Sequence, residues 1–178
     1  SVGQALELLD SYDQMPGVYC RMDRVNTYGD AEDFVKLILT APNRPLVEVE
    51  ISSCDGFVPY TYHIQGSRGT LIADSKSVRW KYFLEEEAPR QHLITAPLRT
   101  PEGLPSYCVE KLTWHEDSWE VGNVVDNVFS EPTRRLYDDV YAALAEGAPL
   151  KVTLRQVRQQ IAVMEEAHRQ NPMSRMEV

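Results

Sequence analysis

Short runs of alternating apolar and polar residues constrain the fold of this chain more than any other feature. The clearest is LVEVEIS, in which Val47, Val49 and Ile51 alternate with Glu48 and Glu50. Successive side chains of a β-strand point to opposite faces of a sheet, so this run has one apolar and one charged face. Similar runs are GVYCRMD, VKLILT, YTYHIQ, GTLIAD and SVRWKYF. Together they predict an antiparallel sheet with one buried face and one partly wet face.

Helical periodicity appears at both ends of the chain. Apolar stripes with helical spacing run through residues 2–9, 136–144 and 154–164, and Thr153 with Gln156 forms a capping-box pattern before the last of them. We therefore expect an α+β fold, in which an open, largely antiparallel β-sheet has three helices packed on one face as a two-layer sandwich.

The remaining segment is less regular. Four prolines and an acidic triplet in residues 84–107 predict a long surface excursion, and residues 109–118 are expected to return as another strand. The chain also begins directly on an apolar helical stripe, whereas natural N-termini usually begin in exposed chain. We expect residues 1–178 to form a single domain that was cut from a longer protein.

Size, charge and cysteine usage exclude several classes of protein. The chain has 178 residues, enough for one domain with a real core, and 18 basic against 27 acidic residues give a net charge of −9. This charge repels nucleic acids and anionic membrane surfaces, so we expect neither as a partner. The three cysteines form no CxxC pair and no apolar run approaches the roughly 20 residues of a membrane span, which predicts a cytoplasmic protein.

Most candidate catalytic patterns have simpler explanations. Glu48 and Glu50 lie on one strand face like an acid/base pair, but a solvated or interface face is the favoured interpretation. The four histidines have no ligand spacing, so we predict no metal site. The turn of residues 66–69, GSRG, lies between two strands. It predicts a hairpin in which glycine supplies a positive φ, and not a phosphate-binding loop.

Aromatic and charged residues on the predicted sheet form a candidate interface. Tyr60, Tyr62, Arg68 and Trp80 are the residues that we expect to contact another subunit. An alternative, which the sequence leaves open, is that the rings face the helices of the same chain.

Three segments, in the order in which they occur, resemble the C-terminal domain of the Gfo/Idh/MocA oxidoreductases. VGQALELL is similar to the first helix of that domain, and YHIQGSRGTL resembles its strand, GS-x-GTL, strand signature. DDVYAALAEGAPL with VTLRQVRQQIAVMEE resembles its two closing helices. The resemblance spans nearly the whole chain.

The resemblance implies a half-enzyme. In this family a Rossmann domain binds NAD or NADP, and the C-terminal domain supplies substrate walls and subunit contacts. The family's acid/base pair, H-x-x-D, would place its aspartate at Gly3 and its histidine just before Ser1, so this chain carries neither residue. Ser1 and Gln4 are then the nearest substrate-pocket candidates.

The resemblance implies that residues 1–178 are the C-terminal substrate-binding and oligomerisation domain of an NAD(P)-dependent dehydrogenase that acts on a sugar, a polyol or a related hydroxy compound. Hydride transfer needs a bound dinucleotide and an acid/base group, so we expect no catalytic residue, no bound cofactor and no activity from this polypeptide alone. NAD or NADP would be bound by the full-length protein. We expect that protein to be a homo-oligomer whose subunits contact each other through the sheet face of this domain. The alternative is a non-catalytic interaction domain that uses the same open sheet.

Overall fold

The structure is a computed structural model that describes residues 1–107, 110–120 and 130–172. Contacts within it group the described chain into two compact units, residues 1–56 with 130–172 and residues 57–107 with 110–120. Each unit is described by itself below. Cys108 and the first residue of the predicted strand at 109–118 lie outside the described residues, and the assignment of residues 1–178 to one domain stays a prediction.

The first unit is a three-stranded antiparallel sheet with helices on one face. Its strands, in the spatial order of the sheet, are β1 (Gly17–Asp23), β2 (Phe34–Thr40) and β3 (Val47–Ser52). Helices α1 (Val2–Leu9) and α3 (Leu154–Gln170) pack on this sheet and on each other. The α+β fold class and the antiparallel pairing are confirmed.

The core of this unit lies between the two helices and one face of the sheet. The strand register places Cys20 of β1, Leu37 of β2 and Val49 of β3 side by side on that face. The buried side chains of the core come from both helices and from β1 and β2; they are Ala5, Leu6, Leu9, Cys20, Met22, Leu37, Leu39, Val163 and Ala167. The apolar stripe predicted for the first helix is therefore the stripe that is buried.

The capping box predicted for the last helix is present. The hydroxyl of Thr153 accepts a hydrogen bond from the backbone N–H of Gln156, and the backbone N–H of Thr153 donates to the side chain of Gln156 at 2.8 Å. One turn later, the buried amide of Gln159 donates to the carbonyls of Ser11 and Gln14 at 2.6 and 2.7 Å. These bonds fix the first half of α3 against the segment that follows α1.

Helix α2 (Ser130–Ala145) ends before Gly147, whose φ of 70° is the left-handed conformation expected of a glycine after a helix. The helix contains the apolar stripe predicted at residues 136–144. None of its described side chains is buried, and Leu136, Val140 and Leu144 are exposed. Packing of this stripe against a sheet stays a prediction.

The second unit is a four-stranded antiparallel sheet in sequential order. Its strands are β4 (Tyr62–Gly66), β5 (Gly69–Ala73), β6 (Ser77–Tyr82) and β7 (His115–Glu120). Residues 84–107 hold one short 3-10 helix, Glu85–Glu87, and a single bridge between Arg99 and Pro105. The long excursion predicted there is present, and the strand predicted at 109–118 is observed at His115–Glu120, so the predicted start was too early.

The hairpin at residues 66–69 forms, but the predicted role of its glycines is wrong. Neither Gly66 nor Gly69 has a positive φ. A Cβ atom on Gly69 would lie 2.5 Å from the carbonyl oxygen of Lys81 and 2.8 Å from Cβ of Tyr82. Glycine is needed here because β6 passes too close to this position for a side chain.

The loop between β1 and β2 is held by one carboxylate. Asp33, which is buried, accepts hydrogen bonds from the backbone N–H groups of Val25, Asn26 and Thr27 at 2.7, 2.7 and 2.9 Å. These hydrogen bonds lower the pKa of Asp33, and the bond from Val25 has the largest effect. The carboxylate thus replaces the backbone partners that the loop N–H groups would have in regular structure.

We expect this carboxylate to make stability depend on pH in the acid range. Its pKa is lowered by folding, so its contribution is present above the unfolded value of about 3.9 and is lost as the pH falls through the folded value. The difference in unfolding free energy between the wild type and Asp33→Asn should therefore be largest near neutral pH and shrink on acidification. Denaturant titrations between neutral and acid pH measure it. Asp30→Asn, at an exposed position of the same loop, is the control, and a difference for Asp33→Asn that is constant with pH would contradict the prediction.

Candidate functional site

A groove between α1 and the start of α3 is a candidate site. Its volume is about 430 Å³, within the range of roughly 300–1,000 Å³ that is typical of small-molecule pockets. It is formed entirely by residues of the first unit. The lining residues used below are Gly3, Gln4, Glu7 and Tyr12 on one side and Lys151, Gln156 and Gln160 on the other.

Helical spacing places these side chains on the groove. Gly3 and Glu7 are four residues apart on α1, and Gln156 and Gln160 are four residues apart on α3, so each pair lies on one face of its helix. The capping box described above fixes Gln156, and it also sets where α3 begins. The groove therefore has a rigid frame made of two packed helices.

Tyr12 is held as a neutral phenol at one side of the groove. Its hydroxyl donates to Oε2 of Glu7 at 2.9 Å. Burial and then this bond raise the pKa of Tyr12, while an interaction with the Gln156 amide opposes the rise. The Tyr12 hydroxyl and one oxygen of the Glu7 carboxylate are therefore hydrogen-bonded to each other.

Lys151, the positively charged residue among those that line the groove, also forms an ion pair. Nζ of Lys151 lies 2.6 Å from Oδ1 of Asp139, a residue of α2 in the same unit. The amides of Gln4 and Gln160 make no side-chain hydrogen bond to a described residue, and the Glu7 carboxylate keeps one oxygen without such a bond. The site can thus bind and orient a molecule through hydrogen bonds from the side chains that line it.

The two substrate-pocket candidates from the sequence occupy different places. Gln4 lines the groove, whereas Ser1 is the residue before α1 and makes no side-chain capping bond. Sequence reasoning missed Tyr12, Gln156 and Gln160. The capping-box pattern could have located Gln156, and the four-residue spacing from it could have located Gln160.

The four interface candidates predicted from the sequence also lie in different places. Tyr62 and Trp80 lie on the apolar face of the second unit's sheet, where both are half-buried. Tyr60 precedes β4 and contacts the ring of His63, with 5.2 Å between the ring centroids. Arg68 lies at the hairpin tip and forms an ion pair with Glu85 at 3.1 Å. Two of the four candidates therefore share a surface.

The charged face of the first unit's sheet is a second concave surface. A shallower groove of about 520 Å³ crosses it near Arg21, Glu50 and Cys54. Beside it, Nζ of Lys36 lies 2.5 Å from a carboxylate oxygen of Glu48 and 2.7 Å from one of Glu50. These two carboxylates raise the pKa of Lys36. Glu48 and Glu50 therefore form an ion-pair ladder on an open face, which agrees with their interpretation as a solvated or interface face.

Neither a metal centre nor a dinucleotide site is evident in the part of the chain that the structure describes. No group of three or more His, Cys, Asp or Glu residues there could hold a metal ion. Every strand pairing within the two sheets is antiparallel, whereas a dinucleotide site of the Rossmann type needs parallel strands joined by a crossover helix. Among the described helices, none is both long and apolar enough to cross a membrane.

Comparisons with known proteins show similarity of fold. No protein-family model matches the sequence, and no curated protein matches it. A candidate oxidoreductase from Bacteroides fragilis NCTC 9343 has a TM-score of 0.57 at 12% identity, over 96% of this chain and 48% of that chain. An oxidoreductase from Bacillus cereus has a TM-score of 0.57 at 13% identity, over 90% and 46%. The candidate oxidoreductase yvaA from Bacillus subtilis has a TM-score of 0.50 at 16% identity, over 96% and 47%.

The chain therefore spans about half the length of the structures that it matches. The resemblance to the C-terminal domain of the Gfo/Idh/MocA oxidoreductases is confirmed as a likeness of fold, since nearly the whole chain superposes on one part of these larger proteins.

Proposed function

We propose that this chain is the substrate-side domain of an NAD(P)-dependent oxidoreductase that acts on a sugar, a polyol or a related hydroxy compound. The observation that supports this most directly is that 96% of the chain matches only 48% of an oxidoreductase-like structure. The antiparallel sheets of the described residues suit substrate walls, and the dinucleotide would be bound by a separate Rossmann domain. Cysteines without a disulfide among the described residues fit a reducing cytoplasm.

The groove between α1 and α3 is the proposed substrate-side surface. It contains Gln4 and lies along α1, the helix that resembles the first helix of the family domain. Its residues would bind and orient the substrate, while the acid/base group and the hydride acceptor would come from outside the described residues. The chain's own task in the reaction is therefore positioning.

The sheet of the second unit is the proposed contact with another subunit. Its alternate residues form an apolar face, on which Ile64 is 45% and Trp119 is 57% exposed. Ala73 is the one buried apolar residue among those described in this unit. An exposed apolar face of this kind is typical of an interaction surface, and we propose that copies of this protein associate through it as a homo-oligomer.

We expect activity from the complete coding sequence and none from this chain. The gene should encode roughly 120 further residues upstream, with a strand, a G-x-G-x-x-G turn and a helix, as a dinucleotide domain requires. The product of that complete sequence should oxidise sugars or polyols with NAD or NADP in a steady-state assay, and the 178-residue chain should not. Oxidation by the 178-residue chain alone would overturn the proposal.

The same experiment evaluates a second candidate function. The exposed apolar sheet face also fits a non-catalytic interaction domain. A complete coding sequence without the upstream dinucleotide segment, whose product is oligomeric and inert toward NAD and NADP, would favour that function.

A further inference from the structure

The two outer edges of the first unit's sheet differ. On the outer edge of β1, the side-chain amides of Gln170 and Asn171 make four hydrogen bonds to the strand backbone. On the outer edge of β3, no residue described in this unit bonds to the strand backbone. The first unit therefore closes one edge of its sheet and leaves the other open.

Strand β3 has a regular backbone along this open edge. It pairs with β2 without a bulge from Val47 to Ser52, and it contains no proline or lysine. Bulges, prolines and lysines are devices by which proteins prevent an edge strand from pairing with other chains. The edge of β3 can thus accept an extended segment, which would add a strand to the sheet through backbone hydrogen bonds.

The open face of β3 carries an excess of negative charge. Glu48 and Glu50 lie 2.5 and 2.7 Å from Nζ of the same residue, Lys36, and their side chains are 51% and 47% exposed. Two carboxylates thus share one ammonium group. Opposite charges on directly opposite residues of neighbouring strands attract each other, so a lysine or arginine opposite each glutamate would stabilise an added strand.

The other face of β3 is apolar. Val47 and Val49 pack against the core of the unit, and Ile51 on the same face is 45% exposed. Apolar residues of an added strand would continue this row. The strand that fits the edge therefore alternates apolar with basic residues.

A second copy of β3 does not fit the edge. Directly opposite residues of antiparallel strands point to the same face, so a two-fold pairing must be centred on a residue. The two registers that pair most of β3 are centred on Val49 and on Glu50. The first sets Glu48 opposite Glu50 of the second copy, and the second sets Glu50 opposite Glu50. Like charges in these positions are destabilising.

We propose that the outer edge of β3 binds an extended segment of another protein, in which lysine or arginine residues alternate with apolar residues. Its basic side chains lie opposite Glu48 and Glu50, and its apolar side chains extend the row of Val47, Val49 and Ile51. This docking site is independent of the proposed function and lies on a different part of the unit from the groove between α1 and α3.

The test is isothermal titration calorimetry of synthetic peptides with two proteins, the 178-residue chain and the product of the complete coding sequence. The peptide TVKVKVT should bind saturably to both proteins. The peptide KKTVVVT, with the same composition in a different order, and the acidic peptide TVEVEVT should each bind at least about ten-fold more weakly, because neither places lysines opposite both glutamates. The comparison with KKTVVVT separates docking on the edge from general attraction to a chain of net charge −9.

A charge reversal should exchange the preferred peptide. Glu48→Lys with Glu50→Lys should bind TVEVEVT at least about ten-fold more tightly than TVKVKVT. Glu86→Lys with Glu110→Lys makes the same change of charge at exposed positions of the second unit, and it is the matched control that should keep the wild-type preference. Circular dichroism shows whether each variant keeps the native spectrum.

Backbone methylation of the peptide tests the wild-type protein without any substitution. The N–H groups of alternate residues point to the same edge of a strand, so TVKVKVT with N-methylated valines and TVKVKVT with N-methylated lysines are blocked on opposite edges. One of the two forms should lose binding and the other should keep it.

Several results would overturn the proposed docking site. They are equal binding of TVKVKVT and KKTVVVT, an unchanged preference after the charge reversal, and equal binding of the two methylated forms. Binding to the 178-residue chain but not to the complete product would show that the rest of the protein covers the edge, and absence of binding to both proteins would show that the edge is not available. Loss of dinucleotide-dependent oxidation bears on the proposed function alone.

Discussion

Leu39→Ala is expected to lower the free energy of unfolding by about 3 kcal/mol, which is in the middle of the range for large-to-small substitutions in a core. Leu39 is 0% exposed and lies on β2, the central strand of its sheet, between Val18 and Val47. Neighbours on both sides hold the sheet in place, so the cavity left by the removed atoms cannot collapse easily. Guanidinium denaturation followed by circular dichroism at 222 nm measures the loss, because all three described α-helices belong to the same unit as Leu39.

Two further variants keep this prediction testable if Leu39→Ala does not fold. Leu39→Met nearly conserves volume and should cost less than about 1.5 kcal/mol. Leu46→Ala removes the same atoms from a side chain that is 62% exposed, and its effect should stay within about 0.5 kcal/mol. Similar losses at positions 39 and 46 would contradict the described core.

The double variant Gln170→Ala, Asn171→Ala is expected to be the other strongly destabilised protein. The side chain of Gln170 accepts from the backbone N–H of Cys20 at 2.8 Å and donates to the carbonyl of Val18 at 2.7 Å. Asn171 donates to the carbonyl of Cys20 at 2.9 Å and accepts from the backbone N–H of Met22 at 3.2 Å. Two amides thus pair with the outer edge of β1 much as a further strand would.

Removing both amides leaves partly buried backbone groups without partners, and we expect a loss of about 3 kcal/mol. It also opens a sheet edge, and open edges pair with other chains. Size-exclusion chromatography with light scattering should therefore show a larger species than the wild type. His168→Ala, at an exposed neighbouring position, should leave both properties almost unchanged. Wild-type stability and wild-type size in the double variant would show that the amides do not protect the edge.

Local patterns predicted much of the secondary structure. The alternation in GVYCRMD gave β1 with the observed bounds, and Thr153 with Gln156 gave the start of α3. Both signals are carried by residues that are close in the sequence. Strand β7, with the sequence HEDSWE, has no apolar alternation, so the predicted strand at 109–118 overlaps it only in part; its bounds are defined by its pairing with β6.

Contacts between distant residues were not predictable. The hairpin glycine Gly69 is explained by the approach of β6, and not by the turn itself. Gln170 and Asn171 contact β1 across about 150 positions of sequence, and neither residue type signals such pairing. The division of the strands between two sheets likewise depends on which distant strands pair.

The candidate site was predicted only in part. Gln4 was expected near the substrate pocket because of the resemblance of its helix to a family helix; it lines the groove, and its role there stays a prediction. Gln160 was not expected, because its relation to Gly3 exists only once α1 and α3 are packed together. Tyr12 was missed for the same reason, since it lines the groove together with Gln156 of a separate segment.

The most direct test of the central claim is a fluorescence titration of NADH and NADPH against two proteins, the 178-residue chain and the product of the complete coding sequence. At least one dinucleotide should bind saturably to the complete product and none to the 178-residue chain, because the described strands pair only in antiparallel fashion. Saturable binding to the 178-residue chain, or none to the complete product, would contradict the claim that this chain is the substrate-side half of a dinucleotide-dependent enzyme.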